Sequence, residues 1–347
     1  MNYKIYKLKF QSPVHFGSDI LGTSLEEADL ICHSDTLFSA LCLEYIKLNG
    51  SDNLDNNFID LFRKGDLLIS SLFPYKKDKL YVPKPFLVRN KNNNDAKENN
   101  LEDNKYDRKA MKKISYLKID DMSCYLESLN KGNNSFLEKI DKEKGYNDFA
   151  EYSLIQKVSL RSSRDNKDND DDNNDLYSVG GYSFYNDCGL YFILAYMNDE
   201  NLKLFETILK SLQYSGIGGK RTSGYGLFNY EVIKDDSIIK IFKFEDENKD
   251  NYKMLLSLYY PIIDELNNIE LRESYYSLIK RSGFIYSLTY SDNLLKRKSL
   301  CMFKEGSCFM LKKESENTSF KGDIINVSNN GSHEVYRYGK VLYIGLN

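Results

Sequence analysis

The chain has no tryptophan, 5 prolines, 3 histidines and 6 cysteines in 347 residues, and each scarcity closes off a class of function. Cys32, Cys42, Cys124, Cys188, Cys301 and Cys308 are scattered without a CxxC pair. In a chain too long to need covalent staples they read as reduced thiols of a cytoplasmic protein. His15, His33 and His333 are the only histidines, and Cys32-His33 is the only Cys/His adjacency. Zinc sites show spaced pairs, so no metal and no cofactor are expected. HEXXH and GXSXG patterns are missing, and the acidic run at 164–175 lacks the placed glycine and terminal glutamate of an EF-hand loop. No apolar run approaches the roughly 20 residues of a membrane span. The opening MNYKIYKLKF also lacks the uninterrupted apolar core of a signal peptide. An excess of one charge is missing too: 48 Lys+Arg face 51 Asp+Glu, for a net charge of −3. A nucleic-acid site would therefore have to be a local patch.

What is present is a globular composition, 41% hydrophobic and 29% charged, long enough for two domains as a prior. Residues 3–10 alternate Tyr6, Leu8 and Phe10 with Lys7 and Lys9, the pattern of a half-buried strand. Residues 34–48 read as a helix that Ser34 or Asp35 can cap. Residues 67–73 and 79–82 read as a strand and its hairpin partner. Regularity is then lost. Segments 90–109 and 164–175 are polar low complexity, expected to be mobile loops, with strand-like pieces at 152–160 and 180–185. It returns with the continuous apolar run 189–197, a central strand covered on both faces, then a helix at 199–214, a glycine-rich loop and a strand at 227–233.

This order fits an α+β chain with a ferredoxin-like (split βαβ) domain over 1–235, carrying an insertion at about 84–180 and the glycine loop at 215–226. A β-rich second domain follows over 251–347. Residues 271–347 hold 12 basic against 7 acidic side chains, net +5, so the C-terminal part is locally basic.

The strongest chemical signal is Gly216-Ile-Gly218-Gly219-Lys220-Arg221-Thr222-Ser223-Gly224-Tyr225-Gly226. Five glycines in eleven residues give a backbone able to turn its N–H groups toward phosphate oxygens. Lys220 and Arg221 add charge, and Tyr225 a stacking face. It is neither a P-loop, since Arg221 stands where Ser or Thr is needed, nor GxGxxG. His15-Phe16-Gly17, just after the first strand, offers a ring to a base and an imidazole to a phosphate. Ser34-Asp35-Thr36 opens a helix whose first N–H groups suit a phosphate, although as an isolated observation it is simply a cap. Lys280-Arg281 and Arg337-Tyr338 interleave cations with aromatics, a composition suited to single-stranded nucleic acid or to an ordinary amphipathic strand.

The combination of HFG at 15–17, SDTLFSAL at 34–41, GIGGKRTSGYG at 216–226, EGS at 305–307, GDI at 322–324 and YRYGK at 336–340 resembles the RAMP superfamily of CRISPR proteins. Within it, the chain is most similar to the fourth Csm subunit of type III-A effector complexes. The resemblance implies two ferredoxin-like (RRM-like) domains, the second degenerate, and a non-catalytic subunit that holds the 5′ handle of the CRISPR RNA in antiviral defence. It implies docking against the large polymerase-like subunit and a backbone RAMP subunit, and a thumb hairpin, within 84–180, that kinks the RNA. By motif, residues 216–226 would grip the handle, His15, Phe16 and Gly17 would lie beside it, and Ser34, Asp35 and Thr36 would support them.

The alternative is a RAMP endoribonuclease that processes precursor CRISPR RNA with His15 as general base. Against it, the glycine loop is mid-chain and a second candidate catalytic group is not evident. A nucleotide-binding enzyme fails on motif spacing.

Overall fold

A strand whose lysines alternate with apolar residues would ordinarily show one face to water; here both faces are covered. In the computed structural model β1 (Asn2–Phe10) places Tyr6 and Leu8 in one apolar cluster and Ile5 in another. Lys7 is 8% exposed, its ammonium donating to the Lys77 carbonyl at 3.0 Å. The half-buried expectation gives way because the insertion covers the second face. The structure describes residues 1–18, 25–88, 109–141, 145–159, 175–234, 236–242, 250–286, 290–291, 295–312 and 320–346, with residues 244, 248 and 293. The loop expectations for 90–108 and 164–174 fall outside them.

The short strands β2 (Phe16–Gly17) and β3 (Ala28–Asp29) follow and pair with each other. Helix α1 (Ser34–Asn49) begins where the sequence indicates, but its N-cap is His33, which gives no side-chain cap bond. A π turn over Asp55–Ile59 leads into α2 (Asp60–Lys64). Next come β4 (Leu67–Ile69), β5 (Phe73–Lys76), β6 (Lys79–Pro83) and β7 (Tyr116–Lys118). Helices α3 (Met122–Lys131) and α4 (Ser135–Asp141) close the covering layer. The hairpin β8 (Ala150–Ser159) and β9 (Asp175–Phe184) precedes β10 (Cys188–Tyr196), α5 (Asp199–Ser215) and β11 (Phe228–Ile233).

The main sheet runs β11-β1-β10-β5-β6-β7, with β4 also on β10, and every pair is antiparallel. All nine residues of β10 are buried, as a continuous apolar run at a sheet centre requires. Between β4 and β5 the buried Ser70 keeps the lane closed, its hydroxyl accepting from the Ile193 amide at 2.8 Å. Helices α1 and α5 pack on one face around Phe38, Phe192, Phe205 and Leu209. The other face is filled by Tyr81, Tyr125, Phe136 and Phe149 from the insertion. At 10 and 7 residues, α3 and α4 are too short for their periodicity to stand out from polar flanks.

The C-terminal part is built from small sheets. β12 (Tyr252–Leu255) lies between β15 (Cys308–Phe309) and β18 (Tyr343–Leu346), while β13 (Leu278–Arg281) pairs with β14 (Leu300–Phe303) and β16 (Gly322–Asn326) with β17 (Tyr336–Lys340). It has no separate core of the same size. Ile324 and Tyr338 belong to the α1–α5 cluster, and Met254, Leu256, Ile344 and Leu346 to the insertion cluster. Among the described residues no helix is long and apolar enough to cross a membrane, and no group of three or more metal-ligating side chains gathers.

Candidate nucleic-acid interface

Glycine at 216, 218, 224 and 226 is a backbone requirement, since all four have φ between +73° and +96°. At Gly226 a Cβ would stand 2.0 Å from the Ile217 carbonyl oxygen. The loop turns back on itself through Ile217 N–H to Gly226 carbonyl at 3.0 Å. It is then pinned to the segment after β1, where Gly219 N–H donates to the His15 carbonyl at 2.8 Å and Gly226 N–H to the Pro13 carbonyl at 2.9 Å. The two motifs that the sequence offered separately, 15–17 and 216–226, are one structure. Lys220 itself adopts φ +56°, a left-handed conformation that costs a non-glycine residue about 1–2 kcal/mol, and a short 3₁₀ turn over Arg221–Ser223 follows. Among the described residues, the amides of Gly218, Lys220, Arg221 and Thr222 donate to no carbonyl. Successive left- and right-handed residues of this kind aim their N–H groups into one concavity, an anion nest. Thr222, Ser223 and Gly224 are exposed beside it.

The rim of the loop is a set of cation–aromatic pairs. Lys220 Nζ lies 4.7 Å from the Tyr177 ring centre, Arg221 Cζ 5.5 Å from that of Tyr286, and Lys157 Nζ 4.7 Å from that of Tyr225. Lys157 and Tyr177 face each other in the β8–β9 register, so the hairpin and the glycine loop form one surface. Sequence reasoning missed Lys157, Tyr177 and Tyr286, because only the fold brings residues of the hairpin and the C-terminal part to the loop.

His15 and Phe16 brace the loop from beneath. His15 is 6% exposed, with Nδ1 2.7 Å from the Gly180 carbonyl oxygen, so the neutral ring donates there and keeps Nε2 as acceptor. A Cβ on Gly219 would meet the His15 ring at 2.7 Å. Phe16 is 4% exposed and packs edge-on against Phe10, while Gly17 is exposed. Tyr225 is buried as well, at 4%, under the Lys157 ammonium, so its ring is a packing group and not an open stacking face.

Ser34, Asp35, Arg281, Arg337 and Tyr338 have a different place from the one their sequence suggests. Asp35 is 2% exposed and receives Arg281 in a fork, Nε to Oδ2 at 2.9 Å and Nη2 to Oδ1 at 2.8 Å, together with Nη1 of Arg337. Thr36 accepts from Arg281 Nη2 at 3.0 Å. The Ser34 hydroxyl accepts from the Leu258 amide at 3.0 Å, and Tyr338 packs against Phe38 and Phe62 with its hydroxyl accepting from the Ile69 amide. These side chains clamp the C-terminal part onto α1, and their polar atoms are turned inward. Burial and the neighbouring Arg337 pull the Arg281 guanidinium down to about 9, still cationic at neutral pH. Beside this clamp, His33 Nδ1 lies 2.8 Å from Glu305 Oε1, which also accepts from the Ser71 hydroxyl. Burial pushes the Glu305 carboxyl up, but the adjacent His33 charge and the His33 and Ser71 hydrogen bonds outweigh it and hold it at about 2. Of the C-terminal residues singled out, Lys280 alone is exposed.

Comparison with known proteins agrees with this layout. The family model of the RAMP superfamily matches residues 7–229 and that of the CRISPR Csm4 C-terminal domain residues 248–346. A CRISPR system Cms protein Csm4 from Mycobacterium tuberculosis (strain CDC 1551 / Oshkosh) is 29% identical over 350 residues, covering 100% of this chain and 98% of the relative. The protein of that description from Streptococcus thermophilus is 28% identical over 347 residues, covering 100% and 99%. A chain of the crystallised Csm3-Csm4 subcomplex of the type III-A CRISPR-Cas interference complex superposes with a TM-score of 0.62 at 24% identity over 100% of both chains. One from the Csm1-Csm4 cassette in complex with cA4 gives 0.55 at 17% over 100% of this chain and 98% of that one. The chain therefore belongs to the RAMP superfamily, and within it to the Csm4 subunits that serve CRISPR defence in type III-A systems.

Proposed function

We propose that the chain is a non-catalytic RNA-holding subunit that binds the 5′ handle of the CRISPR RNA on the glycine-loop surface. The observation that carries this reading is the nest at Gly218–Thr222, with four backbone amides free of carbonyl partners among the described residues and ringed by Lys157, Lys220 and Arg221. Single-stranded RNA asks for phosphate cradles and stacking faces in place of groove readout, and exposed Tyr286 offers such a face. In this reading the RNA-contacting set is Gly218, Gly219, Lys220, Arg221, Thr222, Ser223 and Gly224, with Gly17 and Lys280 at its margin, while His15 and Phe16 position the loop. The sheet order β11-β1-β10-β4/β5 supports a ferredoxin-like N-terminal domain over 1–235, with 251–347 as its degenerate partner. The β8–β9 hairpin is the thumb, and its exposed Leu154, Ile155, Val158 and Leu176 suit the kinking of RNA.

The burial of His15 favours holding over cutting, since a general base has to reach a 2′-hydroxyl. The solved Csm3-Csm4 and Csm1-Csm4 assemblies of relatives support a backbone RAMP subunit and the large polymerase-like subunit as partners. Copurification from cells expressing the complex tests the reading: the chain is expected to elute with CRISPR RNA and Csm subunits, and elution alone and free of RNA would overturn it. A purified chain that cuts repeat RNA and loses that activity as His15→Ala would establish the nuclease instead.

A further inference from the structure

Next to the glycine loop, α1 and the segment before β14 enclose a slot of about 110 Å³, several waters' worth of room. Its walls are apolar, from Ile46 and Ile285, and aromatic, from Tyr286 and Tyr336. Tyr286 is shared: its ring carries the Arg221 guanidinium of the glycine loop and is 63% exposed, so slot and loop are continuous. Two polar side chains also line it, Arg297 and Glu334. Arg297 Nη2 donates to the Phe284 carbonyl at 3.1 Å, but its Nε is buried and has no hydrogen-bond partner among the described residues. A buried donor without an acceptor is costly and is satisfied by whatever fills the slot. Glu334 is held by Asn326 Nδ2 at 2.9 Å and by the Tyr336 hydroxyl, and each carboxylate oxygen keeps a second lone pair.

From this geometry we infer that the slot takes one unstacked base of the bound RNA, a keto base (guanine or uracil). Its carbonyl accepts from Arg297, its ring N–H donates to Glu334, and the preceding phosphate rests in the nest. The inference rests on the handle-binding reading and adds base selection to it. A planar ring suits walls that are apolar on their broad sides and polar at the edge. A donor and an acceptor on one wall match the adjacent C=O and N–H of a keto base, whereas adenine presents neither in that arrangement.

The experiment is an abasic scan of the 5′ handle of the cognate CRISPR RNA, read by fluorescence anisotropy on the full chain. One position is expected to lose about tenfold in affinity, in line with the removal of a stacked base, and adenine there is expected to bind nearly as weakly as the abasic site. Ser39→Trp, which plugs the slot, is expected to make that position indifferent to the abasic change. Arg297→Met, which keeps the apolar stem, is expected to abolish the preference for a keto base over adenine. Tight binding with a flat abasic profile, or an unchanged profile and preference in Arg297→Met, would overturn the slot and leave the glycine-loop surface intact. If the unaltered chain does not bind the handle at all, both readings fall.

Discussion

At the scale of single residues, charge and backbone shape act separately in the glycine loop and can be separated by substitution. Lys220→Ala with Arg221→Ala removes two cations from the rim and leaves the amides in place. Handle affinity is expected to fall, and the slope of log K against log salt to flatten by about 0.7 for each phosphate that is no longer neutralised. Gly218→Val acts on shape. Its φ is +96°, and the new Cβ would stand 2.7 Å from the His15 carbonyl oxygen and 3.1 Å from the Phe16 ring, so the loop must lift from its brace. Affinity is expected to drop with the salt slope unchanged. Salt titrations of both variants in one buffer series check the pair, and unaltered binding in both would make the loop a plain turn. The glycines were legible in the sequence because a positive φ leaves a compositional trace. The inward role of Tyr225 was not, since a tyrosine looks the same whether its ring is open or lies under a lysine.

At the scale of elements, the start of α1 is a joint. Asp35 reads as a helix cap in the sequence because its arginines lie 246 and 302 positions away, beyond any local pattern. Asp35→Asn leaves Arg281 and Arg337 buried without their carboxylate and is expected to cost about 3–5 kcal/mol, measured by denaturant unfolding. Asp35→Leu together with Arg281→Met and Arg337→Met is expected to recover most of that, because a buried ion pair exchanged for apolar groups of similar size is often neutral. If the triple variant is no better than Asp35→Asn, the joint is not electrostatic.

The neighbouring His33–Glu305 pair gives a pH signature. The folded Glu305 carboxyl sits at about 2, below its unfolded value, so its contribution is complete above the ordinary carboxylate range and fades as pH falls toward 2. His33 is displaced upward, because Glu305 outweighs the opposing effect of burial. Its contribution is complete below the ordinary imidazole value and fades as pH rises through the displaced one. Stability is therefore expected to be greatest in mildly acid solution. His33→Gln is expected to flatten the alkaline decline, which unfolding midpoints at pH 5.5, 7 and 9 measure. The main sheet was legible because continuous and alternating apolar runs report strands directly. The covering layer of α3 and α4 was not, and that is why β1 reads as a one-sided strand.

At the scale of the molecule, the two parts are not two independent globules. Tyr338 completes a cluster with Phe38 and Phe62, and Leu346 joins one with Phe136. Fragments 1–247 and 248–347 expressed alone are expected to be insoluble, since each would expose a share of a common core, whereas coexpression is expected to return a soluble pair. A soluble, cooperatively melting 1–247 fragment would contradict this. One consequence of the joint at Asp35 concerns the ribosome. Helix α1 leaves the exit tunnel early, but its carboxylate meets Arg337, and Phe38 meets Tyr338, only when the last residues are made. At about 5–20 residues per second that interval is roughly 15–60 s, during which the nascent chain carries an unfinished core. The step that seals it is the release of the finished chain.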